Sequence, residues 1–163
     1  MYYGKLNTHD IANGPGVRVS LFVSGCEHHC KGCFNPETWD FFYGKVFTSK
    51  TFRKILKTLD DDHIAGLTVL GGEPLHPRNQ HIVTTVCRLI KEKYPDKDIW
   101  VYTGHTWEEV KDHAIMNFID VLVDGPFIED LKDISLKFRG SSNQRIIDVK
   151  ASRSSGYITL KEV

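Results

Sequence analysis

Three cysteines lie within one short stretch of the chain, at Cys26, Cys30 and Cys33. Their CxxxCxxC spacing places three thiols on a single loop. Three thiolates can bind three of the irons of a cubane iron–sulfur cluster, whereas a fully protein-ligated cluster needs four. The spacing therefore predicts a [4Fe–4S] cluster in which one iron remains open to a ligand that is not protein.

Two other uses of these thiols remain open from the sequence. A structural zinc site takes four ligands in a closed tetrahedral shell, and His28 or His29 could complete a Cys3His set in a zinc-stabilised binding module. A disulfide would leave one of the three cysteines unpaired, and a chain of 163 residues does not need such links to fold. Cys87 lies in an apolar helical pattern and is predicted to be a small buried core residue.

Three further segments favour the cluster interpretation: residues 13–18 (NGPGVR), 71–74 (GGEP) and 139–145 (RGSSNQR). Together with the cysteine loop they resemble the radical S-adenosylmethionine (SAM) enzymes, and among these the activating proteins of anaerobic (class III) ribonucleotide reductases. The resemblance extends from about residue 3 to residue 145. The nearest alternative is another radical SAM enzyme, either a different glycyl-radical activase or a small-substrate enzyme.

The resemblance implies both the cofactors and the reaction of an oxidoreductase. The methionine end of SAM would chelate the open iron, and an electron from the reduced cluster would cleave SAM to methionine and a 5′-deoxyadenosyl radical. That radical would remove a hydrogen atom from a backbone glycine of the large subunit of the anaerobic ribonucleoside-triphosphate reductase. The implied partners are this large subunit and a one-electron donor such as flavodoxin.

The resemblance also implies which residues contact SAM. Gly71, Gly72 and Glu73 match the family's acidic Gly-Gly motif, in which backbone groups at a strand end meet the methionine ammonium. Glycine suits this role because a side chain would block the close approach of the backbone. The family usually places an aromatic residue before the third cysteine, where this chain has Gly32, so we expect Phe34 on the other side to supply the apolar contact.

Four more candidates come from positions at strand boundaries. Thr103 and Gly104 are expected to bound the ribose or adenine, and Asp124 to accept hydrogen bonds from ribose hydroxyls or the ammonium. Arg18 is expected to pair with the methionine carboxylate. Capping and turn roles, or a solvated arginine at a strand start, are the alternatives. The predicted SAM contacts are thus Gly32, Cys33, Phe34, Gly71, Gly72, Glu73, Thr103, Gly104, Asp124 and Arg18.

The composition is that of an ordinary globular domain, with 40% apolar and 26% charged residues. Lys plus Arg equals Asp plus Glu, 21 of each, which argues against electrostatic capture of nucleic acid or of an anionic membrane. No apolar run reaches the length of a membrane span, and the first residues lack the apolar block of a signal peptide. We therefore expect a cytoplasmic protein whose thiols stay reduced.

Strand-like and helix-like patterns alternate along the chain, which implies a parallel sheet with helical crossovers. A closed eight-stranded α/β barrel needs about 250 residues. We therefore predict one radical SAM domain over residues 1–163, with an α/β fold that forms an open partial (β/α) barrel. The predicted elements are strands at 17–24, 67–70, 99–103 and 121–123, a helix capped by Ser49, a helix at 79–94, a short helix from Thr106, and a hairpin of 145–150 with 157–161.

The candidate residues share one property, which is their position at predicted strand ends. Cys26, Gly71, Thr103 and Asp124 each lie at or just past the carboxyl end of a different strand. In α/β barrels the loops at these ends converge on one face and carry the site. We therefore expect the four loops to share one rim.

Overall fold

Strands and helices alternate along the chain, as predicted, and the computed structural model describes them over residues 1–163. None of the helices has both the length and the apolar character needed to cross a membrane. Short 3₁₀ helices lie at Pro36–Trp39, Ala114–Asn117 and Glu129–Leu131. The α-helices are α1 (Ser49–Leu59), α2 (Gln80–Lys93), α3 (Trp107–Val110) and α4 (Val149–Ser155), and the strands are β1 (Tyr2–Asp10), β2 (Val17–Val23), β3 (Lys45–Val46), β4 (Ile64–Gly71), β5 (Asp98–Tyr102), β6 (Val121–Asp124) and β7 (Arg145–Asp148).

The seven strands form one sheet in the order β3-β1-β2-β4-β5-β6-β7. Strands β2, β4, β5 and β6 run parallel to one another. At the edges the pairing is antiparallel, with β1 beside β2, β3 beside β1 and β7 beside β6. The edge strands β3 and β7 do not pair with each other, so the sheet is open. The predicted α/β fold, with a largely parallel open sheet and flanking helices, is confirmed.

The amino-terminal strand β1 has no counterpart among the predicted strands. It pairs antiparallel with β2, for example Leu6 with Leu21, but two irregularities interrupt the register. Its side chains are mostly half-buried and many are polar, so the sequence shows neither a buried apolar run nor a clean alternation. The pairing with β2 therefore determines that this segment is a strand, because its own sequence pattern does not indicate one.

One face of the sheet carries the main core. Successive residues of a strand point to opposite faces, and Val19, Leu21 and Val23 of β2 all belong to the main buried cluster. The same cluster contains Ile55 and Leu59 of α1. The helices therefore cover this face, and the other face of β2 looks into the open barrel.

Helix α1 begins one residue earlier than predicted, because Thr48 rather than Ser49 is its cap. The Thr48 hydroxyl accepts a hydrogen bond from the backbone N–H of Thr51 at 3.4 Å, and the Thr51 hydroxyl accepts one from the backbone N–H of Thr48 at 3.2 Å. This reciprocal pair is a capping box that satisfies two otherwise free amide donors.

The predicted carboxyl-terminal hairpin is wrong. Residues 145–148 form β7, but α4 follows at once and occupies the place of the predicted turn. The Asp148 side chain caps α4 by accepting from the backbone N–H of Ala151 at 2.9 Å, and Gly156 ends the helix with a φ of 78°. The two predicted hairpin arms touch at a single bridge, between Ile147 and Leu160.

Candidate metal and cofactor site

The cysteine loop follows directly after β2. Backbone hydrogen bonds hold it to the segment that contains the Pro36–Trp39 3₁₀ helix. The backbone N–H of Gly25 donates to the Thr38 carbonyl at 2.6 Å, and that of Cys26 donates to the Trp39 carbonyl at 3.2 Å. Gly25 has a φ of 104°, and a Cβ at this position would overlap the Phe41 ring. Only glycine therefore lets the chain turn here and still pack closely against this segment.

All three cysteines of the loop line one cavity of about 470 Å³. Cys26 is buried, Cys30 and Cys33 are half-buried, and none of them is in a disulfide. The volume lies within the range of small-molecule and cofactor sites, roughly 300–1,000 Å³. The strand-end loops that share the cavity contribute Gly71, Gly72, Thr103, Gly104 and Gly125.

Glu73 connects the Gly-Gly loop to its neighbours rather than pointing into the cavity. The residue is 1% exposed. It accepts hydrogen bonds from His28 Nε2 at 2.7 Å, from the Gly104 backbone N–H at 2.8 Å and from the Leu75 backbone N–H at 2.9 Å. The Thr103 hydroxyl donates to both carboxylate oxygens, at 2.9 and 3.0 Å. These donors occupy both carboxylate oxygens, whereas the predicted contact with SAM is made through backbone groups of the loop and stays a prediction for Glu73.

The same contacts shift the pKa values of Glu73 and His28. Burial alone would raise the pKa of Glu73, but the hydrogen bonds from His28, Leu75 and Gly104 outweigh it and hold this pKa below its ordinary value. The hydrogen bond to Glu73 raises the pKa of His28, against the effect of burial. The ionised Glu73 carboxylate therefore accepts hydrogen bonds from both the cysteine loop and the loop after β5.

The two glycines before Glu73 hold the backbone of their loop against the cysteine loop. The Gly72 N–H donates to the Val23 carbonyl and the Glu73 N–H to the Gly25 carbonyl, both at 2.8 Å. A Cβ on Gly72 would lie 2.6 Å from the Gly25 carbonyl oxygen. The carbonyl oxygen of Gly72 accepts no hydrogen bond from the protein, so it is free to accept one from a ligand.

The two residues that flank the third cysteine lie differently with respect to the cavity. Phe34 lines it and is 58% exposed, with its ring centroid 4.9 Å from that of Phe127. Gly32 has a φ of 74° and turns away, since a Cβ there would meet the Glu129 side chain at 3.0 Å. Of this pair, Phe34 is the residue that the structure brings to the cavity.

Asp124 does not reach the cavity, although it was predicted to contact SAM. It is 0% exposed, and its carboxylate pairs with the Arg145 guanidinium at 2.6 Å and accepts from the Trp107 backbone N–H at 2.7 Å. Arg145 also bonds the exposed Glu108 at 2.8 Å. The Asp124 carboxylate therefore links α3 and β7 at the end of β6.

Arg18 lies at the opposite end of β2 from the cysteine loop, roughly 17 Å away at 3.3 Å per residue. Its side chain is fully buried, and it pairs with Asp98 at 2.8 Å. It also donates to the Thr68 hydroxyl at 2.8 Å and to the Pro15 and Leu67 carbonyls at 2.9 and 3.1 Å. The predicted contact with the methionine carboxylate is not available to a guanidinium in this position.

One cavity wall comes from the segment at residues 139–145, which the sequence singled out without a role. The Gln144 side-chain oxygen accepts from the backbone N–H groups of Gly140 and Ser141, at 2.9 and 3.1 Å. Arg139 donates to the Gln144 carbonyl at 2.6 Å, and the Asn143 side chain donates to the Pro126 carbonyl at 2.8 Å. The polar side chains thus hold the loop to itself and to the turn after β6.

The donor set fits a three-thiolate cluster better than a closed zinc site. His28 Nε2 is engaged by Glu73, and the His29 ring stacks on Trp39 with centroids 4.4 Å apart. Cys87 is fully buried in α2, where burial raises its pKa to about 12 and keeps the thiol protonated. Three unpaired thiols therefore share one cavity, while both histidines have other contacts and the fourth cysteine lies inside α2.

An open, largely parallel sheet with three free thiols at the end of one strand defines an iron–sulfur protein whose cluster keeps an exchangeable position. In agreement, residues 12–147 match the protein family described as "4Fe-4S single cluster domain". The chain belongs to this family and to that of the anaerobic ribonucleoside-triphosphate reductase-activating proteins.

The similarity to the activating proteins covers nearly the whole length of this chain and of each relative. It is 40% identical to the activating protein of Enterobacteria phage T4 over 146 residues, which is 90% of this chain and 93% of that protein. It is 45% identical to that of Vibrio cholerae, over 90% of this chain and 97% of that protein. The corresponding values for Escherichia coli (strain K12) are 45%, 88% and 96%.

Proposed function

We propose that this chain activates an anaerobic ribonucleoside-triphosphate reductase by generating a glycyl radical on its large subunit. One observation supports the proposal above the others, namely that three free thiols share a cavity with the Gly-Gly loop and leave the fourth cluster position unoccupied by protein. The relatives that match this chain over most of their length carry the name of such an activating protein.

In this proposal each part of the cavity has a separate task. Cys26, Cys30 and Cys33 hold three irons of a [4Fe–4S] cluster. When bound, the cluster supplies the electron that cleaves SAM to methionine and a 5′-deoxyadenosyl radical. The free carbonyl of Gly72 accepts a hydrogen bond from the methionine ammonium.

The opposite walls of the cavity orient the remainder of SAM. Thr103 and Gly104 bound the ribose side, where hydrogen bonds to Glu73 hold the Thr103 hydroxyl and the Gly104 backbone N–H. Phe34 and Phe127 form an apolar wall that excludes water from the reacting carbon. Neither Asp124 nor Arg18 has a task in the cavity, because both are held in ion pairs elsewhere.

The open mouth of the cavity favours a polypeptide substrate. Phe34 and Ile134 both line the cavity, and Ile134 is 93% exposed. Exposed apolar side chains around a cavity indicate a surface that a partner covers. A loop of the reductase that carries the target glycine would complete the enclosure and exclude water as it enters.

Two finer points belong to the same proposal. The electron reaches the cluster from a one-electron donor such as flavodoxin, because the reduced cluster gives one electron in each cleavage of SAM. The protein works in the cytoplasm, where thiols stay reduced and available to iron.

The ligand assignment is tested by single Cys→Ala variants reconstituted anaerobically with iron and sulfide. Loss of any one of Cys26, Cys30 and Cys33 should abolish a SAM-cleaving cluster, whereas Cys87→Ala should retain it because that thiol lies inside α2. Iron and sulfide analysis with electron paramagnetic resonance measures both. A full cluster in Cys30→Ala would contradict the assignment.

The substrate is tested separately with the reductase large subunit. Reduced protein with SAM should produce a doublet glycyl signal that persists after this chain is removed. The matched control is a reductase in which the target glycine is replaced by alanine, and it should give no stored radical. A stored radical that forms equally well on the alanine variant would show that the proposed substrate is wrong.

A further inference from the structure

Six cations line a groove at one edge of the sheet. The groove has a volume of about 750 Å³ and lies between α1 and the edge formed by β1 and β3. No Asp or Glu is among its lining residues. We name it the basic groove and define it by five of these cations, Lys45 of β3 and Lys50, Arg53, Lys54 and Lys57 of α1. The sixth is Lys5 of β1.

The cations of the basic groove follow the helical repeat and are free of partners. The four on α1 recur at spacings of three, one and three residues, which places them on one face of the helix. All five side chains belong to exposed residues. None of them forms an ion pair with a carboxylate. In a chain of net charge +0, this is a local concentration of positive potential.

This arrangement works against the stability of α1. The amino-terminal end of a helix carries a partial positive charge, so cations there are unfavourable and acidic residues are favourable. The first turn of α1 contains no acidic residue, and Lys50 lies within it. Like charges three and four positions apart on one helix also repel each other. Of the four cations on α1, only Lys57, in the last turn, suits the helix dipole. Helix stability therefore does not account for the others, which favours a role in binding a negatively charged ligand.

The basic groove is close to the cysteine loop but separate from the cavity. Lys45 pairs with Tyr3 in the sheet, and Tyr3 pairs with Val23, which ends the strand that delivers the loop. Neighbouring strands are about 4.8 Å apart, so Lys45 lies roughly two strand spacings from Val23. The groove and the cavity share no lining residue. A partner can therefore occupy the groove while a substrate polypeptide covers the mouth.

The character of the groove favours a protein that binds briefly over a small molecule. Small-molecule sites are mostly apolar with a few placed polar groups, whereas only 3 of the 12 lining residues here are hydrophobic. Exposed unpaired charges increase association rates with oppositely charged partners more than they increase affinity. Electron-transfer complexes are small and transient. Val46, which is 50% exposed, offers an apolar contact within the groove.

From these observations we infer that the basic groove docks the acidic surface of the one-electron donor that reduces the cluster. In that complex the donor is a flavin protein that loses one electron, and the cluster gains it, with no bond made or broken. The inference rests on the proposed function, since it assigns a surface to the donor of that reaction.

The test is a charge reversal on α1 in the anaerobically reconstituted protein. The variant carries Lys50→Glu, Arg53→Glu and Lys54→Glu, and the probe is a flavodoxin of net negative charge. A matched control carries Lys111→Glu, Lys150→Glu and Lys161→Glu, which are exposed lysines outside the groove with the same total charge change. Two readouts are taken, the dissociation constant of the flavodoxin complex and the second-order rate of cluster reduction.

At about 0.1 M salt, the groove variant should bind flavodoxin and accept its electron about tenfold less well or worse, while the control changes by less than about threefold. The difference should vanish near 1 M salt, where charges more than ~3 Å apart are screened. Of the three changes, Lys50→Glu places an acidic residue in the first turn of α1, where it favours the helix. Retained reduction of the variant's cluster by dithionite shows that its fold is intact. Equal effects of the two variants at low salt would overturn the inference.

Two further arms distinguish the electron donor from a different occupant of the basic groove. With dithionite in place of flavodoxin, the groove variant should still form a glycyl radical on the reductase at the unmodified rate. A loss of radical under dithionite would assign the groove to the reductase and overturn the inference. Tighter binding of a single-stranded oligonucleotide than of flavodoxin would overturn it in favour of nucleic acid. If the unmodified chain forms no radical with dithionite, the proposed function fails while flavodoxin binding still reports on the groove.

Discussion

The Nε2 atom of His28 lies 2.7 Å from the Oε1 atom of Glu73. This contact joins the cysteine loop, which carries His28 between two of its thiols, to the loop after β4. Glu73 reaches a third loop through Thr103 and Gly104. A single buried carboxylate thus sets the relative positions of three of the loops that line the cavity.

Replacing Glu73 by Gln should destabilise this junction. Glutamine keeps the size, but its NH₂ group would replace the oxygen that accepts from the backbone N–H of either Leu75 or Gly104, so one buried donor loses its acceptor. Hydrogen bonds to charged groups contribute about 1.5–3 kcal/mol each, and we expect a decrease of about this size in the free energy of unfolding of the metal-free protein, measured in urea. Glu129→Gln, an exposed carboxylate near the same loop, should change it by less than about 0.5 kcal/mol. Equal effects of the two changes would contradict the role of Glu73.

A methyl group at Gly72 should disturb the cysteine loop itself. The added Cβ of Gly72→Ala would lie 2.6 Å from the Gly25 oxygen and 2.9 Å from the Thr38 oxygen, so backbone must move. We expect lower iron content after reconstitution as well as weaker SAM binding. Gly156→Ala is the control. Its φ of 78° strains the end of α4, but nothing lies within 4 Å of its Cβ, so the strain stays local and the variant should retain full iron content. Normal iron content in Gly72→Ala would show that the two loops can separate without loss of the cluster.

The two carboxylates that bind Arg145 should differ strongly in their contribution to stability. Asp124→Asn removes the charge from a fully buried carboxylate, but Arg145 is one-third exposed and keeps Glu108, so we expect a loss of about 1.5–3 kcal/mol, the contribution of a hydrogen bond to a charged group. Glu108→Gln removes an exposed partner and should cost less than about 1 kcal/mol. Chemical denaturation of both variants measures the difference. SAM affinity of the folded Asp124→Asn protein should be unchanged, and a loss of affinity without loss of stability would return Asp124 to the SAM site.

Asp10 should make the stability depend on pH in the acid range. Burial alone would raise the pKa of Asp10, but the hydrogen bonds from Ser20, Ala12 and Asn13 outweigh it and lower the pKa below its ordinary value of 3.8. The contribution of Asp10 to stability is therefore complete above this ordinary value and is lost as the pH falls through the lowered folded value. Urea unfolding should show a stability gap between the unmodified protein and Asp10→Asn at neutral pH that narrows on acidification. A gap that stays constant with pH would contradict this.

Much of the cavity could be predicted from the sequence because its signals are local. The thiol spacing lies within eight residues, Cys26 to Cys33, and glycines mark the ends of the strands that deliver the loops. Strands β2, β4, β5 and β6 are buried, so their apolar runs are evident without knowledge of their neighbours. The helices between these strands imply that the strands run parallel. Their carboxyl ends then lie at one rim, which is why Cys26, Gly71 and Thr103 are expected to meet there.

The tertiary structure decided the roles of the charged residues, because their partners are distant in the chain. Arg18 meets Asp98 across 80 positions and Asp124 meets Arg145 across 21, and no local pattern shows that these partners bury each other. The same limit applies to the half-buried strand β1, which needs β2 beside it, and to the basic groove. The cations of α1 can be read from the helical repeat, but only the pairing of β3 with β1 places Lys45 beside them and brings the groove near the thiols.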